Sequence, residues 1–102
     1  YKRHRHWLQG RELEKSPTEY VREHVYFTFQ DDHTAFQFKD HVNIERMMWA
    51  NDYPHSDSTW PLSQDVLREH TQGMTTDEIN LVVHDNVAGL YKLDTSALKV
   101  AA

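Results

Sequence analysis

The chain has 102 residues, 38% of them hydrophobic, with a mean hydropathy of -0.82 and a formal charge of -5. That leaves room for one small domain with a thin core and argues against general nucleic-acid binding. There is no cysteine, hence no disulfide framework and no thiolate zinc site, as suits a cytoplasmic protein, and no apolar run approaches the roughly 18 residues of a membrane span.

No signal-peptide pattern opens the chain, whose start at Tyr1 reads as truncated or processed. Positive charge collects in the first segment, where Lys2, Arg3, Arg5 and Arg11 make residues 1–15 a basic stretch expected to be exposed and partly disordered. Ser16 then caps a helix near residues 17–24, with Pro17 at its first position and Glu19 three residues on, the spacing of a capping box. Val25, Tyr26, Phe27, Thr28 and Phe29 are all β-branched or aromatic and read as a strand. Asp31 and Asp32 end that run and are expected to cap the next helix, although with His33 they also form a minor acid–base or metal candidate. The helix runs from Asp32 to about Val42, with Ala35, Phe36, Lys39 and Val42 at spacings of three or four and the lysine stem covering part of its apolar face. Asn43 marks the turn that follows.

Met47, Met48, Trp49 and Ala50 form a second strand, apolar at every position as in a parallel sheet buried on both faces. It stops at Asn51 and Asp52, before a polar loop punctuated by Pro54 and Pro61. Ligands of α/β folds gather at the carboxyl ends of such strands, which makes Asp52 the leading site residue. Its plain alternative is a turn carboxylate bonded to loop amides. His55, three residues on, can orient that carboxylate, contact substrate or anchor the loop through a backbone carbonyl, and loop anchoring is the expectation. Asp57, Ser58 and Trp60 are candidates for the rim of the site, with Trp60 beside Pro61 reading equally well as a packing plug.

Leu62, Val66 and Leu67 define a short helix expected to stop near Gly73. The last helix has a second capping box, Thr75 with Glu78, and an apolar stripe of Ile79, Val82, Val83, Val87 and Leu90. The remaining histidines, His24, His33, His41, His70 and His84, show no ligand spacing and read as surface or boundary residues. No Gly-rich phosphate loop and no Gly-x-Ser-x-Gly elbow is present. The alternation of helix and strand predicts an α/β unit whose two strands lie side by side and parallel, joined by a right-handed crossover.

The run Asp52-Tyr53-Pro54-His55, the approach Ser16-Pro17-Thr18-Glu19-Tyr20 with the strand Val25 to Asp32, and the closing Asn86-Val87-Ala88-Gly89-Leu90-Tyr91 together resemble the amidohydrolase-related metal-dependent hydrolases, a family that includes decarboxylases of the aminocarboxymuconate-semialdehyde type. The resemblance implies a C-terminal fragment of a (β/α)8 barrel, about two strands with three to four helices. Residues 16–102 would be its last βα units, and the whole chain a single partial domain. It implies further that Asp52 is the metal ligand at the end of the last barrel strand, with His55, Asp57 and Trp60 as substrate or supporting residues. Such a barrel takes roughly 250 residues. The first six strands and the His-x-His pair of the first would therefore lie outside this chain. His4-Arg5-His6 imitates that pair, but it follows basic residues rather than an apolar strand, and Arg3 and Arg5 repel a cation.

The expected function is the C-terminal portion of a hydrolase or decarboxylase that acts on a small molecule through a divalent metal, with zinc expected. One ligand cannot make a catalytic zinc site, so the chain alone is expected to be inactive and to bind no stoichiometric metal. The alternative is a non-catalytic piece that self-associates through open sheet edges, with its own copies standing in for the missing N-terminal barrel portion. A small acidic binding module is a third reading. Neither nucleic acid nor membrane is an expected partner.

Overall fold

The structure, a computed structural model, describes residues 1–96. Residues 1–15 lie at the surface, with a short 3-10 turn at Arg5–Leu8 and Trp7 largely exposed. His4 and His6 belong to that turn and not to a strand.

Helix α1 (Pro17–His24) starts as the sequence dictates. The Ser16 hydroxyl accepts the Glu19 N–H, and the Glu19 carboxylate accepts the Ser16 N–H at 2.7 Å, satisfying two orphan donors of the first turn. An N-cap of this kind contributes about 1 kcal/mol. Strand β1 is Phe27–Phe29, shorter than the five residues expected, because Val25 still donates its N–H to the Val21 carbonyl as the C-cap of α1. Tyr26 turns its ring under the Arg46 guanidinium, 4.5 Å away.

Helix α2 (His33–Gln37) ends five residues short of Val42. Asp32 makes no side-chain cap, so the helix is weakly fixed at its start, and the chain leaves it through turns at residues 38–41. Lys39, whose stem was expected to cover part of the apolar face, is 23% exposed, and its ammonium reaches the Glu78 carboxylate at 2.5 Å. That pairing lowers the Glu78 pKa from the ordinary carboxylate value, with the Thr75 backbone N–H adding to the effect, and raises that of Lys39.

Asn43 caps a 3-10 turn, Ile44–Arg46, that delivers the chain into β2 (Met47–Trp49). The two strands pair in parallel, Phe27 opposite Met47 and Phe29 opposite Trp49, which gives the mixed α/β unit that the sequence predicts. Since alternate residues share a face, Phe27, Phe29, Met47 and Trp49 point one way and Thr28 and Met48 the other. The core is Phe36, Met47 and Val82, surrounded by Phe29, Ala35, Val42, Ile44, Trp49, Leu67 and Met74.

Helix α3 (Ser63–His70) is capped at Thr71, and Gly73 follows at φ +85° in the turn beyond it. The final helix is wound in three parts: α4 (Thr76–Asn80), a π-helical turn at Leu81–Asp85, and α5 (Asn86–Tyr91). Its capping box forms, with the Thr75 hydroxyl accepting the Glu78 N–H. The π turn inserts a residue into the helical period and rotates the buried stripe. Val82 is fully buried and Asn86 follows it inside, while Leu90, expected in the stripe, is exposed. The Asn86 amide donates to the carbonyls of Ile44 at 2.7 Å and Met47 at 2.8 Å, which fastens the helix to the start of β2. Among the described residues no helix is long and apolar enough to cross a membrane.

Candidate functional site

The carboxyl ends of β1 and β2 open into a cleft of about 290 Å³ lined by Thr28, Phe29, Gln30, Asp32, Ala50 and Asp52. A second open cleft adjoins it, sharing Gln30 and Asp32 and bringing in Asp31 and Asp57. Asp52 and Asp57 from the β2 side and Asp31 and Asp32 from the β1 side therefore collect at one end of the sheet.

Asp52 has φ +58°, in the left-handed region that few residues other than Gly, Asn and Asp enter readily. A dense local network holds it there. The Asp52 carbonyl accepts the His55 N–H at 2.9 Å, and the Asn51 side chain accepts the Tyr53 N–H at 3.1 Å. The Asn51 carbonyl takes the Ser58 hydroxyl at 2.6 Å and the Thr59 N–H at 3.1 Å, which draws the far side of the loop back to the strand end. Within this turn, Nδ1 of His55 lies 2.9 Å from Oδ2 of Asp52. Among the described residues Oδ1 of Asp52 has no hydrogen-bond partner, and it is the oxygen open to a ligand.

The other sequence candidates take varied places. The His55 ring is bonded to the Asp52 carboxylate rather than to a backbone carbonyl, and it is the His55 backbone carbonyl that accepts the Ser58 N–H. Asp57 keeps its side chain in the second cleft while its carbonyl accepts the Gln30 amide at 2.7 Å. Trp60 is 52% exposed and tilts against Tyr53 at 6.3 Å between ring centres, so it does not plug the core. Ser58 closes the loop through its hydroxyl, which also accepts the Trp60 N–H. Asp32, expected as a cap, faces the Asp52 cleft instead.

Gln30 and Asn51 escaped the sequence reading, although polar residues bordering both strand ends were a signal for them. Gln30 ties the ends together: its carbonyl accepts the Trp49 indole N–H at 2.8 Å while its amide holds Asp57. His70, expected at the surface or boundary, ends α3 at intermediate burial, with its side chain 11% exposed. It sits 3.5 Å from Asp31 and packs on His33 and Phe36, with a buried Nδ1 that has no partner among the described residues.

As a metal centre the site fits in kind but falls short in number. A half-exposed carboxylate with one free oxygen at a strand end is a suitable ligand, but among the described residues no group of three His, Asp or Glu side chains could hold an ion. The family model described as Amidohydrolase matches residues 1–93 of the chain. None of the curated proteins compared with it matches.

Proposed function

Because the chain belongs to the amidohydrolase family, we propose that it forms the last two strand–helix units of a (β/α)8 barrel in a metal-dependent hydrolase or decarboxylase, with Asp52 as the ligand it contributes to a divalent metal, zinc by preference. The observation that carries this reading is the conformation of Asp52. A non-glycine residue is held in the left-handed region immediately beyond a buried parallel strand, by hydrogen bonds from both sides of its loop, with one carboxylate oxygen left free. Asp enters this region more readily than most residues, so what marks the position is the loop network that fixes it there and leaves Oδ1 free.

The remaining ligands would come from residues outside this set. When bound, the metal would polarise a small-molecule substrate or lower the pKa of a coordinated water. The residues of this chain do local work. Asp52 would bind through Oδ1, Gln30 and Asn51 fix the strand ends, and Asp32 and Asp57 border the opening, while Trp60 lies against Tyr53 on the same loop. The absence of thiol ligands suits a reducing, cytoplasmic setting.

Manganese broadening of amide resonances tests the assignment, because a paramagnetic ion reports even weak binding at its own ligands. Mn²⁺ added to the protein should broaden residues 51–57 first, and Asp52→Asn, which tolerates the same backbone conformation, should abolish that selectivity. Broadening that is unchanged in the variant would remove Asp52 from the metal. The metal-loaded chain itself should show no turnover, for lack of the other ligands.

A second reading, self-association, draws on the outer face of β1. Its free edge lies beside apolar grooves lined by Phe27, Phe38, Val21 and Val42, of which Phe38 is 51% exposed. The radius of gyration, 17.3 Å, exceeds the value of about 13 Å for a compact domain of this length. Light scattering decides it: a monodisperse monomer at high concentration would exclude pairing through that edge.

A further inference from the structure

We propose that His55 is a positioning residue for Asp52: its Nδ1–H holds Oδ2 of the carboxylate, so that Oδ1 alone is presented to the metal and the neutral ring is kept in one tautomer. The inference rests on the metal-ligand reading of Asp52.

The geometry is set by the backbone. With Asp52 in the left-handed conformation, the chain reverses direction at once and the His55 N–H closes on the Asp52 carbonyl at 2.9 Å. That closure brings the two side chains of an i,i+3 pair to the same side of the turn, where Nδ1 meets Oδ2 at 2.9 Å. An ionised carboxylate can only accept, so the hydrogen must sit on Nδ1, and in the neutral ring Nε2 is left bare. The imidazole has no competing role to account for the contact. It is 75% exposed, so it does not fill the core, and the loop is closed without it by Asn51 and Ser58. A carboxylate free to rotate presents either oxygen, or both, to a cation. One pinned by a neighbouring donor presents a single oxygen in a fixed direction. Partners that orient a ligand in this way typically change metal affinity 10- to 100-fold.

Two measurements on the protein test this. Nitrogen-15 correlation spectra of the imidazole at neutral pH should show His55 as the Nδ1–H tautomer. Asp52→Gly, which removes the carboxylate but keeps the left-handed backbone accessible, should return it to the Nε2–H form that free imidazole favours. In the manganese titration, His55→Ala should weaken broadening of residues 51–57 by about tenfold. His55→Asn, whose amide nitrogen stands where Nδ1 stood, should restore most of that loss, which a merely structural role for the ring would not allow. An Nε2–H tautomer in the unaltered protein, or unweakened Mn²⁺ binding by His55→Ala, overturns the positioning role and leaves Asp52 as a ligand. Mn²⁺ that leaves residues 51–57 of the unaltered protein untouched overturns the ligand reading itself, and the positioning role with it.

Discussion

The two strands are equal in length and opposite in treatment. β2 has Met47 and Met48 buried, the Asn86 amide bonded at its start, and at its finish a loop whose hydrogen bonds return to Asn51. β1 has Phe27 and Thr28 exposed, follows directly on the end of α1, and hands the chain to a helix that its own Asp32 does not cap. Gln30, at the finish of β1, spends its side chain on the loop of β2. Fixation thus follows the candidate ligand: the strand that carries Asp52 is held at both ends, and its neighbour serves as a support.

Truncating matched positions on the two strands should break this comparison if it is wrong. Met47 and Phe27 are register partners, yet Met47 is 3% exposed and Phe27 39%. Met47→Ala removes a buried side chain and opens a cavity, at an expected cost of about 3 kcal/mol. Phe27→Ala deletes a larger group but loses mostly half-wet surface, and about 1 kcal/mol is expected. Urea unfolding of the two variants gives the ratio directly. Equal losses would mean that β1 is buried in solution, as it would be in a self-associated form.

The latch at the start of β2 comes next in size. Asn86→Leu keeps the volume but strips the Ile44 and Met47 carbonyls of a buried donor, which should cost about 2 kcal/mol. If β2 is what aims Asp52, the same variant should also shift the amide resonances of residues 51–57, far along the chain from the substitution. Lost stability without those shifts would separate the latch from the site.

A smaller effect comes from Glu78, which joins the segment after α2 to the helix that fastens β2. Its folded pKa is lowered, first by Lys39 and then by the Thr75 N–H, so its contribution is fully present above the unfolded value near ~4.3 and is lost as pH falls through the lower folded value. The melting temperature should therefore drop in acid below about pH 4. Glu78→Gln should flatten that drop in part, leaving the share of Glu19, whose pKa is lowered by Ser16. An unchanged acid limb in Glu78→Gln would show that the ion pair is too wet to matter.

Local chemistry made much of this legible in advance. Both capping boxes are side-chain-to-backbone contacts over three residues, and both form as written. An unbroken apolar run needs burial on both faces, and Met47 and Met48 have it. The places where the reading failed depend on distant partners. Spacing places the Lys39 stem on a helical face, but the partner of its ammonium, Glu78, is 39 residues away and legible only in space. The final stripe was read at a constant helical period, and the π turn at Leu81–Asp85 breaks that period and sends Asn86 inside. At the site, proline, aspartate and histidine marked the loop. The hold on Asp52, however, comes from Asn51 and Ser58, polar residues of a kind found in any turn.

His70 offers the finest test of the contrast between the strands, because it lies on the flank of β1. Its ring packs on His33 and Phe36 at centroid distances of 5.3 and 6.0 Å, and its Nδ1 is buried without a partner among the described residues. An unpaired buried polar atom carries a desolvation cost of about 1–3 kcal/mol, whereas an apolar ring of similar shape carries none. His70→Phe keeps the aromatic contact with Phe36 and gives up the 3.5 Å approach to Asp31, which at that distance and exposure contributes little. The variant should be more stable by about 1 kcal/mol or less, after the strain of a slightly larger ring, and a rise in melting temperature would register it. Such a gain would show that the support strand is packed less strictly than the strand it supports. A loss would place a hydrogen-bonding partner on Nδ1 in solution and make the flank of β1 as fully satisfied as the ends of β2.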